Sequence, residues 1–207
     1  MAYDYLDRLA TPGVQAAQAA NGARRMWERF DGERTSGRFT QGEAAFIAER
    51  DSFYLASVSE SGWPYVQHRG GPPGFLRVLD DTTLGFADYA GNRQYISLGN
   101  IGAEGRVALI LMDYPNQARL KILAHMAARD LAADPELAAR LANPGYRARP
   151  ERGFILRLEA FDWNCPQHIT RRFTGPQIET VLGPMRQKIA DLEAENAALK
   201  AKLSALP

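Results

Sequence analysis

Three short stretches of the chain bring polar side chains together with glycine and aromatic residues. They are Gln67–Gly74 (QHRGGPPG), Asp88–Gln94 (DYAGNRQ) and Trp163–His168 (WNCPQH). Arginine and side-chain amides can bind an anion, and glycine lets a ligand approach the backbone closely. A cysteine and a histidine, both present in the third stretch, are residue types used in nucleophilic catalysis. We therefore treat these three stretches as the candidates for chemistry.

The stretch Asp88–Gln94 predicts an anion site. It enters a predicted helix over Asn92–Ile101, and a helix N-terminus offers free backbone N–H groups and the positive end of a dipole. Arg93 adds a guanidinium suited to a two-pronged contact with phosphate. Asn92 is positioned to cap the helix and to donate a neutral hydrogen bond. The alternative is an ordinary helix cap followed by a solvated arginine.

The other two stretches each have a plain alternative. His68 and Arg69 end a predicted strand, and the glycines after them favour close approach of a flat ligand, although glycine and proline also simply shape tight connections. The stretch lacks the GxxxxGK[ST] pattern of a nucleoside-triphosphate loop. Cys165 and His168 are three residues apart on a proline-containing loop, which does not define a catalytic pair. A packed, unreactive Cys165 is the favoured interpretation.

Composition excludes several classes of protein. The chain has 207 residues with 25 basic and 24 acidic side chains, so neither a chain-wide nucleic-acid footprint nor a polybasic membrane surface is expected. One cysteine excludes an internal disulfide and a cysteine-rich zinc site, and the three histidines show no metal-ligand spacing. The apolar runs are far shorter than a membrane span, and the first residues do not resemble a signal peptide. We expect a cytoplasmic protein.

The pattern of apolar residues predicts a mainly β, α+β protein built around an antiparallel barrel or sandwich. Helices are predicted over Val14–Phe30, after the capping-box pair Thr40 and Glu43, and over Asp134–Leu141. No regular strand–helix–strand alternation is present. The predicted strands are Phe53–Ser59, Trp63–Arg69, Phe75–Leu79, Thr83–Tyr89, Val107–Met112, Leu120–Ala128 and Phe154–Trp163.

The C-terminal residues repeat apolar side chains at alternating spacings of four and three. Such a heptad pattern is typical of a coiled coil, with its apolar seam at the a and d positions. Asn196 is the single polar residue of the seam and favours a parallel dimer, and Glu195 and Lys200 suit an intermolecular ion pair. The alternative is an amphipathic helix packed on its own domain. The seam positions are Leu182, Ile189, Asn196 and Leu203 at a, with Ile178, Met185, Leu192, Leu199 and Leu206 at d.

Together, the residues over about 40–175 resemble the pyridoxamine 5'-phosphate oxidase-like flavoproteins, whose fold is a split antiparallel β-barrel. The match is closest to the predicted flavin-nucleotide-binding branch. The resemblance implies a barrel over 40–175, after an N-terminal helical segment (1–39) and before a C-terminal heptad helix (176–207). It is carried by FIAERDSFYLASVSESGWPYVQHRGGPPGFLRVLDDTTLGFADYAGNRQYISLGNI, by RVALILMDYPNQARLKI and by FDWNCPQHIT.

The resemblance implies FMN as the cofactor and a homodimer with the flavin at the subunit interface. Arg93 occupies the position of the family's phosphate-binding arginine, while Asn92 replaces a serine and Gln94 a lysine. Arg119 lies where a glutamine contacts the pyrimidine edge of the flavin. The implied cofactor-binding residues are His68, Arg69, Gly70, Asp88, Tyr89, Asn92, Arg93, Gln94, Arg119, Gln167 and His168.

One departure from the family pattern bears on the reaction. The oxidases carry a C-terminal RxHxR-type substrate segment, and this chain has Trp163–His168 in its place. The resemblance therefore implies a flavin-dependent oxidoreductase acting on another small molecule or electron donor, and no residue is assigned as catalytic acid or base. The alternatives are a flavin carrier or sensor without turnover, and a deazaflavin- or haem-binding barrel in which His68 or His168 ligates the iron.

Overall fold

A single seven-stranded antiparallel sheet dominates the part of the chain that the computed structural model describes, residues 4–28, 37–102, 104–163 and 166–205. The strands are β1 (Ser52–Val58), β2 (Pro64–Gly70), β3 (Arg77–Asp80), β4 (Thr83–Tyr89), β5 (Arg106–Asp113), β6 (Ala118–Arg129) and β7 (Pro150–Trp163). Their order in the sheet is β2-β1-β5-β6-β7-β4-β3. The helices are α1 (Asp4–Leu9), α2 (Pro12–Ala20), α3 (Arg24–Glu28), α4 (Gln41–Ala48), α5 (Ile96–Asn100), α6 (Pro135–Leu141) and α7 (Gly175–Ser204). The α+β class and the split-barrel fold are thereby confirmed.

Along β5 and β6, buried side chains alternate with more exposed ones. In β5, Val107, Leu109 and Leu111 are buried, while the residues between them are more exposed. A strand points successive side chains to opposite faces, so this alternation places one face of the sheet on the core and leaves the other outside. β6 repeats the pattern with buried Leu120 and Ile122.

Four phenylalanines pack together at the centre of the core. The ring centroids of Phe53 and Phe75 are 5.5 Å apart, those of Phe53 and Phe86 are 5.3 Å apart, and those of Phe86 and Phe154 are 5.4 Å apart. All four side chains are almost completely buried. Since Phe53 lies on β1 and Phe86 and Phe154 lie on the neighbouring strands β4 and β7, this cluster joins β1 to a pair of strands that is distant from it in the sheet order.

The predicted helix over Val14–Phe30 is wrong as a single helix. The chain forms α2 and α3 instead, separated by Asn21–Ala23, and Gly22 between them has a φ of 71°. A left-handed residue cannot continue a right-handed helix, and glycine adopts that conformation without steric cost. The last two residues of the predicted helix lie outside the described residues.

The capping box predicted before α4 is present. Thr40 Oγ1 accepts a hydrogen bond from Gly42 N at 3.1 Å, and Thr40 N donates to Glu43 Oε2 at 2.9 Å. Trp163 Nε1 donates to Glu43 Oε1 at 2.7 Å. Burial alone would raise the pKa of Glu43, but the hydrogen bonds from Thr40 and Trp163 outweigh it and lower the pKa. Glu43 therefore stays ionised and ties α4 to the end of β7.

Replacing Thr40 with alanine removes the side-chain oxygen that caps α4. We expect the free energy of unfolding to fall by about 1 kcal/mol, the typical cost of losing a helix N-cap. Urea denaturation followed by circular dichroism measures the change. Thr40→Ser keeps the hydroxyl and should match the wild type, whereas an unchanged midpoint for Thr40→Ala would show that the cap contributes nothing.

Most other predicted elements agree with the structure, apart from their ends. The predicted strand Phe75–Leu79 is shifted, because β3 begins only at Arg77 and ends at Asp80. Phe75 and Leu76 are buried although they precede the strand, so their apolar character reflects core packing and not strand pairing. The helix predicted from Asp134 is confirmed as α6, with the Asp134 side chain accepting from Leu137 N.

The described chain divides into two compact units. The first comprises Met1–Asp113 and Ala118–Gln167, and it contains the sheet. The second comprises Tyr114–Gln117 and His168–Pro207, and it contains α7. Within the second unit, Gln117 Nε2 donates to Ile169 O at 2.6 Å and Arg171 Nε donates to Gln117 Oε1 at 3.2 Å. These bonds hold the segment before α7 to the Tyr114–Gln117 turn.

The C-terminal helix is continuous over 30 residues. It starts with a capping box between Thr174 and Gln177, and Pro184 lies inside it without ending it. No described helix is both long enough and apolar enough to cross a membrane. The 30-residue length of α7 confirms the long helix that the heptad pattern requires, while the pairing of this helix with another chain stays a prediction.

Candidate functional site

A cavity of about 150 Å³ opens between β2, β4 and the loop that follows β4. The chain brings together here two of the three stretches singled out above, one from each strand. β2 and β4 are not hydrogen-bonded neighbours in the described sheet, so side chains bridge the space between them. The lining residues are Tyr65, Gln67, Arg69, Asp88, Tyr89, Gly91, Asn92, Arg93, Gln94, Tyr95, Ile96, Ser97, Leu98 and Glu151.

Arg69 and Asp88 join the two strands. Arg69 Nη1 lies 2.6 Å from Asp88 Oδ1, and Arg152 Nε of β7 lies 3.6 Å from Asp88 Oδ2. The Arg69 guanidinium also lies 6.0 Å from the Phe86 ring centroid and 5.8 Å from that of Phe154. The buried Asp88 carboxylate thus sets the position of the Arg69 cation directly above the phenylalanine cluster.

Burial determines the titration of Asp88. Removal from water raises the pKa of its carboxyl, and the charges of Arg69 and Arg152 only partly oppose that increase. The Nε atom of Arg69 is buried without a hydrogen-bond partner among the described residues. A buried donor of this kind is costly unless something else accepts from it. The Arg69 cation therefore has one N–H donor that no described residue uses.

The loop after β4 has an unusual backbone. Arg93 and Tyr95 have φ values of 61° and 52°, in the left-handed region that residues other than glycine rarely adopt. Tyr95 Oη donates to Glu151 Oε1 at 3.1 Å, and the Arg152 guanidinium lies 5.0 Å from the Tyr95 ring centroid. Such strained residues occur often at ligand-binding sites, where surrounding contacts hold them in place. Here Glu151 and Arg152 of β7 supply those contacts.

The prediction that Asn92 caps a helix is wrong. Helix α5 begins only at Ile96, is five residues long and has the left-handed Tyr95 at its N-cap with no capping side chain. Asn92 Oδ1 instead accepts from Gln94 N at 3.1 Å, which closes a short turn in the loop. A residue that must adopt a left-handed φ interrupts the helix that the local composition favours. Anion binding here has to come from loop side chains and not from a helix dipole.

The exposed Arg93 side chain is the most accessible cation of the loop. Its interaction with Tyr95, together with the negative charge of Glu151, raises the pKa of the guanidinium. The side chains of Asn92 and Gln94 flank it and also line the cavity. One charged and two neutral donors therefore converge on the same opening.

A second cavity of about 180 Å³ adjoins the first and shares Gln67, Arg69, Asp88, Tyr89 and Gly91 with it. It is also lined by His68, Gly70, Phe75, Phe86 and Ala87. Pockets that enclose a drug-sized ligand are usually about 300–1,000 Å³. Each cavity accommodates a phosphate-sized group, and neither alone encloses a whole dinucleotide-sized or flavin-sized ligand.

Eight of the predicted cofactor-binding residues line these two cavities, namely His68, Arg69, Gly70, Asp88, Tyr89, Asn92, Arg93 and Gln94. Arg119 is not among the lining residues of either cavity, and in β6 it pairs with Met112 of β5. Gln167 is exposed in the turn after β7, and the exposed His168 belongs to the second unit, with a φ of 64°. Cys165 lies outside the described residues, so the favoured interpretation of a packed, unreactive Cys165 stays a prediction.

The sequence does not predict three residues of the site: Tyr95, Glu151 and Arg152. Glu151 and Arg152 are about 60 positions from the loop along the chain, and only the pairing of β4 with β7, which aligns Asp88 with Arg152, brings them to it. No local motif marks them. Among the described residues, no group of three or more potential metal ligands occurs.

Comparison with known proteins identifies related sequences and folds. The family described as pyridoxamine 5'-phosphate oxidase matches residues 39–157 of this chain. Solved structures with similar folds include HupZ of group A Streptococcus (16% identity, 65% of this chain and 99% of that chain, TM-score 0.46). An FMN-binding protein from Syntrophomonas wolfei is 12% identical, and the match covers 71% of this chain and 97% of that chain with a TM-score of 0.45. General Stress Protein 26 from Bacillus anthracis is 13% identical, and the match covers 59% of this chain and 91% of that chain with a TM-score of 0.44. A search of curated proteins finds no match.

Proposed function

This chain belongs to the pyridoxamine 5'-phosphate oxidase family, and from that premise we propose that it is an FMN-binding, flavin-dependent oxidoreductase acting on a small molecule. The observation that carries the proposal is the convergence of Arg69, Asn92, Arg93 and Gln94 on one cavity between β2 and β4. Arginine and amide donors in a small pocket are well suited to a phosphate group.

The residues present fit the phosphate end of FMN. Arg93 supplies a two-pronged cation at the opening, with the Asn92 and Gln94 amides beside it. The Nε of Arg69, which no described residue accepts a hydrogen bond from, supplies a further donor deeper in the site. Asp88 cannot contact a phosphate favourably, because both are anionic, so its role is to position Arg69.

In this proposal, the parts of FMN other than its phosphate lie beyond these two cavities. The register of the sheet places His68, Tyr54, Ile110 and Lys121 in one row across β2, β1, β5 and β6. That row spans three inter-strand spacings, roughly 14 Å. Arg119 lies on the same face, two residues from Lys121. The resemblance gives Arg119 a role at the pyrimidine edge of the flavin, where its charge would favour the anionic reduced form.

A second copy of the chain completes the site in this proposal. The outer face of β1, β2 and β5 carries exposed apolar side chains, among them Tyr54, Val58 and Val66. Contiguous exposed apolar surface commonly marks a protein interface, and most homo-oligomers are two-fold symmetric dimers. Such a dimer would cover the open cavities and place the flavin at the interface. Gln167 and His168 of the partner subunit are candidates to close it.

The flavin supplies the redox chemistry, that is, acceptance and donation of a hydride or of electrons, and the protein supplies binding and electrostatics. The test is the absorption spectrum of the purified protein, followed by addition of NADH or NADPH and then of an acceptor. A flavin spectrum that bleaches and recovers over repeated cycles supports the proposal. A flavin that never turns over indicates a carrier or sensor, and a Soret band indicates haem instead.

Replacing Arg93 with alanine is expected to weaken FMN binding roughly 10- to 100-fold, because a charge-assisted hydrogen bond to the phosphate is lost. Fluorescence titration with FMN measures the change. Riboflavin lacks the phosphate and should bind the variant and the wild type equally. Arg129→Ala, on an exposed arginine that bonds only its neighbouring carbonyl among the contacts described, is the matched control. An equal loss of riboflavin binding would contradict the phosphate assignment.

A further inference from the structure

The C-terminal helix carries an apolar stripe that the proposed flavin site does not use. Helix α7 is 30 residues long, which corresponds to about 45 Å. Among the described seam residues, Ile178, Met185, Ile189, Leu192, Leu199 and Leu203 are exposed and Leu182 is partly exposed. Leu206, the last seam residue, lies outside the described residues. So long an exposed stripe is uncommon in a monomeric protein and indicates a binding surface.

We propose that α7 pairs with α7 of a second copy of this chain as a parallel, in-register, two-stranded coiled coil. The spacing of the seam residues is 3.5 on average over nearly four heptads, which is the repeat that keeps one stripe facing a partner helix. This proposal does not depend on the cofactor, since it rests only on residues of the second unit.

Asn196 determines the orientation. It occupies an a position, and in a parallel, in-register pair each a residue faces its own copy, so the two Asn196 amides hydrogen-bond across the axis. In every antiparallel register an a residue faces a d residue of the other helix. All the d residues here are apolar, so an antiparallel pair would bury the Asn196 amide without a partner, which is costly.

The charged residues that flank the seam are compatible with this pairing. In a parallel coil a residue at g lies beside the e residue five positions later in the partner. Lys188 then meets Glu193 of the partner subunit, and Glu195 meets Lys200 of the partner subunit. Both contacts join opposite charges, and two-fold symmetry doubles them. Opposite charges would also meet in one antiparallel register, so the parallel orientation follows from Asn196 and not from the charges.

Pro184 does not obstruct the seam. It occupies a c position, which faces away from the partner helix in the heptad register. The helix continues through it in the structure, and proline removes only one backbone hydrogen bond at this point. The coil can therefore include the heptads on both sides of Pro184.

Cysteine cross-linking in the full-length chain tests this proposal. Cys165, the only cysteine of the sequence, is first replaced by serine. Leu199→Cys then places a thiol at a d position, and Ala201→Cys places one on the outer side of the same helix turn. A disulfide requires Cα atoms within about 7 Å, so in a glutathione redox buffer we expect at least about tenfold more disulfide-linked dimer for Leu199→Cys than for Ala201→Cys.

An equimolar mixture of Leu182→Cys and Leu199→Cys chains tests the orientation. Residues 182 and 199 face each other in the fully overlapping antiparallel register and are far apart in the parallel one. The proposal predicts homodimeric cross-links at 199 and almost no 182–199 cross-link. Preferential formation of the 182–199 product, equal cross-linking of the seam and outer variants, or no cross-linking by either would each overturn it.

Discussion

Replacing Arg69 with methionine is expected to lower the free energy of unfolding by about 3 kcal/mol, the lower end of the range for breaking a buried ion pair. The change removes the 2.6 Å contact to Asp88, and among the described residues the more distant Arg152 is then the one cation paired with that buried carboxylate. The aliphatic part of methionine still packs over Phe86 and Phe154, so lost packing contributes little. Chemical denaturation at neutral pH measures the effect.

The pH dependence identifies the cause of that loss. Without Arg69, burial raises the pKa of Asp88 further above its unfolded value. A group whose pKa is raised in the folded state contributes stability below its unfolded pKa, about 4 for aspartate, and that contribution is lost as the pH rises through the folded pKa. The gap between wild type and Arg69→Met should therefore widen from acid to neutral pH. A gap that does not change with pH would contradict this explanation.

A double variant provides the matched control. In Arg69→Met combined with Asp88→Asn, the carboxylate is absent, so no buried charge is left unpaired. Most of the lost stability should return, and the pH dependence should disappear. Because Arg69 and Asp88 are in direct contact, their individual effects are not expected to add.

Replacing Phe86 with alanine is expected to cost about 3–5 kcal/mol, as is typical of truncating a buried phenylalanine in a packed core. Phe86 contacts the rings of Phe53, Phe75 and Phe154, and these neighbours come from separate parts of the barrel. They cannot all move into the space that the smaller side chain leaves. The midpoint and slope of urea denaturation give the change in stability.

Two variants serve as controls for the Phe86 result. Phe86→Leu keeps most of the apolar volume and should cost clearly less than alanine. Phe173 is exposed, so Phe173→Ala should stay within about 0.5 kcal/mol of the wild type. A cost below about 1 kcal/mol for Phe86→Ala would mean that the four rings do not form a tightly packed centre.

Much of the barrel is predictable because short runs rich in apolar and aromatic residues, bounded by turn residues, mark its strands in the sequence. The strand over Thr83–Tyr89 was predicted with the bounds that the structure has, and β5 and β7 differ only by short extensions. The errors come from tertiary contacts and special backbone conformations. Phe75 and Leu76 fill the core before β3 starts, and Gly22 divides the N-terminal helix. Neither effect follows from periodicity alone.

The site is predictable where its residues are close together in the sequence. The strand end at His68–Arg69 and the loop over Asp88–Gln94 both line the cavities. The contribution of Glu151 and Arg152 depends on the pairing of β7 with β4, which no short stretch encodes. The left-handed Arg93 and Tyr95 also separate the loop from α5, although composition favours a longer helix there.

The most direct test of FMN binding at this site is titration of the flavin-free protein with FMN and with riboflavin, followed by flavin fluorescence. We predict saturation at one FMN per chain, with riboflavin bound more weakly because Arg69, Asn92, Arg93 and Gln94 contact the phosphate. Failure to bind FMN, or equal affinity for FMN and riboflavin, would contradict a phosphate-anchored flavin between β2 and β4.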